Sequence, residues 1–315
     1  MMNLLFTITD NYAPYCGVAL ASFLANNNWT RFDVYIITDG LTENNRNRLS
    51  EICSHYRAQF FYLELSDNIK KQIKIISPYL PRNQKSSFLF RLFMTELLPE
   101  HIDAILYLDS DLIINDTCKE LQNIVFDSKT SLYAIKDTVR WADYERLKID
   151  FQSHQYFNSG VMYLNIKYWK REHVMERCIS FICNTTSRTV MVDQDALNVV
   201  LKGTVKYLHP KFNCLSLFFA KENYVRNRVL KDDYNHIMEA IKRPVIIHYV
   251  LKKPWHKGDY VPKREIWFHY LAMTEWRNMS IGYKDGLKGF AIYSAKQILR
   301  KVYAVFGRKY KESIY

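Results

Sequence analysis

Ile105-Leu106-Tyr107-Leu108-Asp109-Ser110-Asp111 decides how this chain folds. Four apolar, β-favouring residues read as a strand covered on both faces, and the acids that follow at once mark its C-terminal end. Open α/β sheets bind ligands at that end. Residues i and i+2 of an extended chain point the same way, so Asp109 and Asp111 suit joint capture of one hard divalent cation, which in turn neutralises a diphosphate. Taken alone, the pair also reads as a polar loop after a strand. A second Asp-x-Asp, Asp193-Gln194-Asp195, opens a predicted helix, where acids in the first turn have a simpler account.

Working outward, the spacing predicts a strand at Leu4–Thr9 and a turn at Asp10-Asn11-Tyr12-Ala13-Pro14 leading into a helix. Further strands are expected at Asp33–Thr38 and Gln59–Leu63, with a helix opening at Thr42-Glu43-Asn44-Asn45 between them and another carrying Phe88, Arg91, Leu92 and Leu97. Strand alternates with helix up to Asp109, which argues an α/β fold with a parallel sheet and helices on both faces. Beyond the acids, Ser131–Lys136, Gly160–Asn165, Thr204–Leu208 and Val245–Ile247 read as strands and Lys167–Cys183 as one helix. This half is expected to build the acceptor side.

The chain has 315 residues, 48% of them hydrophobic, enough for a large core in one α/β domain with or without an appendage. Its net charge of +12 calls for an anionic partner. From Lys284 to the end, eight basic residues face two acids, so half of that excess lies in the last tenth of the chain. The six cysteines show no CxxC pair and read as reduced thiols. Neither a signal peptide nor a membrane-spanning run is apparent, and a cytoplasmic protein resting on a membrane is expected.

Thr9-Asp10-Asn11-Tyr12, Leu106 to Asp111, Phe157-Asn158-Ser159-Gly160-Val161, Asp193-Gln194-Asp195, and His248-Tyr249 with Lys253-Pro254-Trp255-His256 follow one another in an order that resembles glycosyltransferase family 8. The likeness is greatest to bacterial lipooligosaccharide and lipopolysaccharide α-galactosyl- and α-glucosyltransferases. It spans Asn3 to about Trp276. The resemblance implies a GT-A type nucleotide-diphospho-sugar transferase fold with a mixed, mostly parallel sheet. It also implies UDP-galactose or UDP-glucose as donor, Mn²⁺ or else Mg²⁺, retention of anomeric configuration, and a saccharide or glycolipid acceptor.

Carried over residue by residue, Asp109, Asp111 and His248 would ligate the metal, and an imidazole among carboxylates favours Mn²⁺. Thr7, Thr9, Asn11 and Tyr12 would meet the base and ribose, with Arg91, Ser110 and Lys253 toward the donor and Trp255 anchoring the Lys253 loop. A lone Arg91 among apolar neighbours also requires a buried partner. Asn158, Ser159, Asp193 and Gln194 would contact the sugars, with Gly160 permitting close backbone approach. Asp137 matches an acceptor-side carboxylate and reads equally as a turn residue. Thr9 and Ser159 depart from the galactosyltransferases, which have an aspartate and an alanine there. With Gln194 on the sugar's β-face, the resemblance suggests same-face substitution rather than a covalent intermediate.

Residues 1–276 are therefore expected to form the catalytic domain and 277–315 a basic amphipathic segment. Leu287, Ala291, Ala295, Ile298, Val302 and Val305 recur at helical spacing, with Lys296, Arg300 and Lys301 on the other side. Such a helix either packs on the domain or lies on an anionic membrane surface. Two rival readings remain open: a sugar-nucleotide nucleotidyltransferase, which needs a Gly-rich phosphate loop after the first strand, and a basic nucleic-acid-binding protein, for which no binding signature is present.

Overall fold

The structure, a computed structural model, describes residues 2–81, 85–185 and 191–305. β1 (Met2–Ile8) leads through a 3-10 turn at Asp10–Tyr12 into α1 (Ala13–Asn26). β2 (Phe32–Thr38), α2 (Glu43–His55), β3 (Gln59–Glu64) and α3 (Asp67–Ile76) follow. The oxygens of Thr42 and Ser66 accept the first free amides of α2 and α3, each cap adding about 1 kcal/mol of helix stability. A 3-10 segment, Ser86–Phe93, and one turn, α4 (Met94–Leu97), precede β4 (Ala104–Leu108) and β5 (Leu112–Ile114).

Next come β6 (Leu132–Lys136), α5 (Trp141–Leu147), β7 (Phe157–Asn165), α6 (Ile166–Arg171), α7 (Val174–Asn184) and α8 (Val192–Val200). β8 (Val205–Tyr207), β9 (Cys214–Leu215), α9 (Glu222–Arg226), α10 (Tyr234–Lys242) and β10 (Ile246–His248) complete the second half of the domain. β11 (His256–Lys257), α11 (Arg264–Ala272), β12 (Gly282–Tyr283) and α12 (Gly286–Val305) close the described chain.

Seven strands form the main sheet in the order β3-β2-β1-β4-β7-β6-β8. All neighbours are parallel except β7, which runs antiparallel to both β4 and β6. The sheet is thus mixed and mostly parallel, as the family resemblance implies, with β7 the departure from the parallel sheet read from the element order. Its two faces carry separate cores. In β4, Leu106 and Leu108 pack into one, Ile105 and Tyr107 into the other. That double burial is why the strand has no polar alternation. The chain leaves β1 toward β2 on one side and reaches β4 on the other, so a crevice opens at their C-terminal ends. β5, β10 and β9 form a small second sheet beside that crevice.

Three local expectations are corrected. Of the helix expected to carry Phe88, Arg91, Leu92 and Leu97, Ser86–Phe93 is 3-10 and only Met94–Leu97 is α-helical, with Leu89 to Phe93 all buried. The helix expected at Lys167–Cys183 is two helices. The chain turns at His173 (φ 50°), which keeps Trp169 and Cys178 in the same core. The strand expected from Gly160 begins at Phe157, so Asn158 and Ser159 are strand residues with fixed directions.

Candidate active site

A cleft of about 580 Å³ lies over the ends of β1, β4 and β7. Of the residues picked out from the sequence as site residues, all line it except Asn11. Asn11 is exposed, and its side-chain oxygen accepts from Thr9 Oγ1 at 2.5 Å. Tyr12 lines the cleft, with Lys85 over its ring at 5.4 Å. The turn after β1 contains no glycine, so the phosphate loop of a nucleotidyltransferase is not built there.

Asp109 is held by the last rung of the sheet: its amide donates to the Gly160 carbonyl at 2.8 Å. Its Oδ1 accepts from Arg91 Nη2 at 2.8 Å and from the Tyr107 hydroxyl at 2.7 Å. With Tyr107 donating there, Thr7 Oγ1 is the donor in its 3.2 Å bond to the Tyr107 oxygen. One oxygen of Asp109 is thus committed, and Oδ2 faces His248, 3.9 Å from Nε2.

Arg91 is buried, satisfying the sequence-based demand for a partner several times over. It stacks on Tyr107 at 4.6 Å, donates to the Ser159 carbonyl at 3.1 Å and lies 3.1 Å from Asp193, though its Nε is not aligned for a hydrogen bond. Burial opposes its charge, but Asp109 and Asp193 hold the guanidinium firmly protonated. For Asp193 burial is the larger influence and pushes its carboxyl up, against the pull of Arg91. Asp195, the other acid of the second Asp-x-Asp, faces away from the cleft, paired with Arg146 at 3.0 Å and Tyr156 at 2.6 Å. Its Oδ2 also accepts the Met191 amide at 3.1 Å, so for this residue the helix-start reading holds.

Asp111 and His248 are 137 positions apart in the chain and meet through register. β5 pairs antiparallel with β10 so that His248 opposes Leu112, and the Tyr249 amide donates to the Asp111 carbonyl at 2.9 Å. His248 Nε2 then lies 3.1 Å from Asp111 Oδ1. Lys253 Nζ reaches the other Asp111 oxygen. Burial alone would raise the Asp111 carboxyl, but Lys253 and His248 hold it well below the usual carboxylate range. Trp255, stacked on Tyr15 at 3.9 Å and 17°, pins the loop that carries Lys253, as expected from its burial.

The tautomer of His248 follows from a chain of amides. The Gly160 N–H, which can only donate, bonds Asn158 Oδ1 at 3.0 Å, so Asn158 Nδ2 turns to Asp137 Oδ2, also 3.0 Å. Asn213 must then present Nδ2 to Asn158 Oδ1 at 2.9 Å, leaving its own oxygen against His248 Nδ1 at 3.0 Å. Nδ1 therefore carries a proton, and Nε2 is the atom turned toward Asp109 and Asp111. Asn213 escaped the sequence reading. It is fully buried in a turn of Pro210–Asn213, and no local pattern marks it.

The ligand atoms of Asp109, Asp111 and His248 lie within 4.8 Å of one another. Two hard oxygens, one imidazole nitrogen and an oriented outer partner fit a divalent cation of the Mn²⁺ kind. Gly160 makes the space for them. A Cβ there would collide with His248 Cε1 and stand 2.8 Å from Nδ1 and 2.9 Å from Asp109 Oδ2. On the far wall, Gln194 Oε1 accepts from the Ser159 amide at 2.9 Å and its Nε2 donates to Asp137 at 3.0 Å. Gln194, Asp137, Asn158, Asn213 and His248 thus form one hydrogen-bonded line between the two ends of the site.

Solved structures share this architecture. The galactosyltransferase LgtC, in complex with donor and acceptor sugar analogs, superposes with a TM-score of 0.75 at 22% identity, covering 87% of this chain and 96% of that one. The sequence profile of glycosyl transferase family 8 matches residues 3–259, and the chain belongs to that family. It is 27% identical over 286 residues to general stress protein A of Bacillus subtilis strain 168, covering 89% of this chain and 96% of that protein. It is 28% identical over 297 residues to a lipopolysaccharide 1,2-glucosyltransferase of Escherichia coli, covering 91% and 82%. The fold is GT-A type.

Proposed function

We propose that this glycosyltransferase is a retaining, metal-dependent hexosyltransferase that moves galactose or glucose from a UDP-sugar to a saccharide acceptor in lipopolysaccharide or other cell-surface glycan synthesis. The observation that carries the reading is the convergence of Asp109, Asp111 and His248 Nε2 at the end of β4. The cleft they line is large enough for a nucleotide sugar. A divalent cation held there supplies Lewis-acid neutralisation of the diphosphate. Lys253 adds a point charge on the same side.

The chemistry requires the bond between the anomeric carbon and the phosphate oxygen to break with its electron pair going to UDP. The acceptor oxygen bonds to the same face of the sugar, and its proton passes to the departing phosphate oxygen. Supporting this course over a covalent intermediate, Gln194 is an amide, Asp193 is paired with Arg91, and Asp137 already accepts four hydrogen bonds, two from Thr138 and one each from Asn158 and Gln194. None of them is a free carboxylate nucleophile. The partial negative charge of Gln194 Oε1, held in place by Ser159, would favour the positive sugar.

The segment 277–315 completes the reading as a peripheral anchor on the inner face of the cell membrane. Among the described residues no helix is long and apolar enough to cross a bilayer.

The test is UDP release from UDP-galactose and UDP-glucose with Mn²⁺ and no acceptor. Slow cleavage of one donor is expected, and Asp111→Ala should lower it on the order of a thousandfold while the circular dichroism spectrum is kept. Turnover that survives D111A removes Asp111 from the site, and no cleavage of either donor overturns the donor assignment.

A further inference from the structure

The outer wall of the cleft carries two arginines that transfer from the donor does not use. Arg140 and Arg228 line it beside Asp137, Thr138 and Tyr224. Backbone bonding brings them together: the Val139 amide donates to the Arg228 carbonyl at 2.6 Å, stitching the segment after β6 to the segment after α9. β6 lies two strands from β4 in the sheet and runs parallel to it, an offset between the strands of about 10 Å, so the segment after β6 leads away from the diphosphate end at Asp109.

The two arginines are not equivalent. Arg140 Nε is 2.6 Å from Asp143 Oδ2, which answers its charge. Arg228 is half-buried with its guanidinium 3.9 Å from the Tyr224 ring, and among the described residues no carboxylate pairs with it. A guanidinium held over a phenol ring by cation–π attraction keeps N–H donors for other partners, and its planar fork suits a phosphate or carboxylate gripped with two bonds. The acids of the cleft are all committed elsewhere: Asp109 and Asp193 to Arg91, Asp111 to Lys253 and His248, Asp137 to its amide neighbours. The described residues thus supply no anion to Arg228.

We infer that the acceptor is an anionic saccharide, bearing a phosphate or carboxylate group that Arg228 binds with Arg140 at its side. The inference rests on the glycosyltransferase reading above and extends it to the acceptor class. An apolar or neutral sugar would leave a partly desolvated cation unanswered on the wall it passes. An anionic one gains charge-assisted hydrogen bonds there and is steered into the cleft by the same charge.

The experiment uses the full-length protein loaded with Mn²⁺ and UDP. UDP affinity is measured first, and its absence would count against the glycosyltransferase reading rather than against this inference. Methyl β-galactoside, its 6-phosphate and methyl β-galacturonide are then titrated by ligand-observed NMR. At least one anionic probe is expected to bind about tenfold or more tightly than the neutral one. R228Q should erase that advantage and R228K restore part of it. R140Q gives a parallel comparison should R228Q fail to fold. The phosphate and uronide arms distinguish the two anions. No anionic advantage, including the case where no probe binds, overturns the inference, and so does an advantage that survives R228Q.

Discussion

Asn213 shapes the metal site without being one of its ligands. Its oxygen fixes the proton of His248 on Nδ1, and its own orientation is dictated through Asn158 by a backbone amide that can only donate. An outer partner of this kind raises the ligand's basicity and locks the ring. Asn213→Ala is therefore expected to weaken Mn²⁺ binding by about 10- to 100-fold, read by isothermal titration of the protein with UDP present. An unchanged Mn²⁺ affinity would show that the ring needs no such partner. Asp109 illustrates the same economy, since Arg91 and Tyr107 occupy one of its oxygens and thereby aim the other.

Among the elements, α12 behaves unlike any other helix. Leu287 and Ile298 are 87% and 63% exposed, and Val302 is exposed too, so the apolar side expected from the sequence is not packed on the domain. The helix touches the domain through Tyr293 over Gly258, while Phe290 and Tyr293 pack against Tyr283 of β12 within the same segment. The expectations for the side chains of Arg300, Lys301 and Val305, and for Arg308, Lys309 and Lys311, lie outside the described residues. An exposed apolar stripe on a segment rich in lysine suits an anionic lipid surface, where each basic residue adds about 1 kcal/mol. Ending the chain after Asp285 keeps β12 and removes the helix. Co-sedimentation with phosphatidylglycerol vesicles is expected to fall on the order of a hundredfold. Binding that persists after this truncation would place the anchor elsewhere.

At the scale of the whole molecule, the cleft joins parts of the chain that are far apart in sequence. β1, β4 and β7 supply its floor, the small sheet supplies His248, and α8 supplies Asp193 and Gln194. A ligand that spans these parts binds only the folded chain, so stability should rise with its concentration. At a hundredfold excess over its Kd, UDP with Mn²⁺ is expected to add about 2.7 kcal/mol. For a domain of this size that raises the melting temperature on the order of 5 °C. Neither UDP nor Mn²⁺ alone should give the full shift in differential scanning fluorimetry. A full shift with UDP alone would argue against a bridging cation. The six cysteines take no part, since all are free and five of them are buried.

Local patterns determined much of this protein before any tertiary contact was known. The apolar run to Leu108 marked a strand buried on both faces, and the alternation of strands and helices before it marked an α/β sheet. The acids at the strand's end marked the ligand side. Those features are local because side-chain direction and burial follow the period of the backbone itself. What the tertiary structure alone decided is who meets whom. The pairing of β5 with β10 brings His248 to Asp111, and β7 entering antiparallel beside β4 sets Gly160 against His248 and Asp109. Ser86–Phe93 is a 3-10 segment where the periodicity predicted a helix. Register and close packing depend on partners many tens of residues away, and no local window of sequence contains both sides of such a contact.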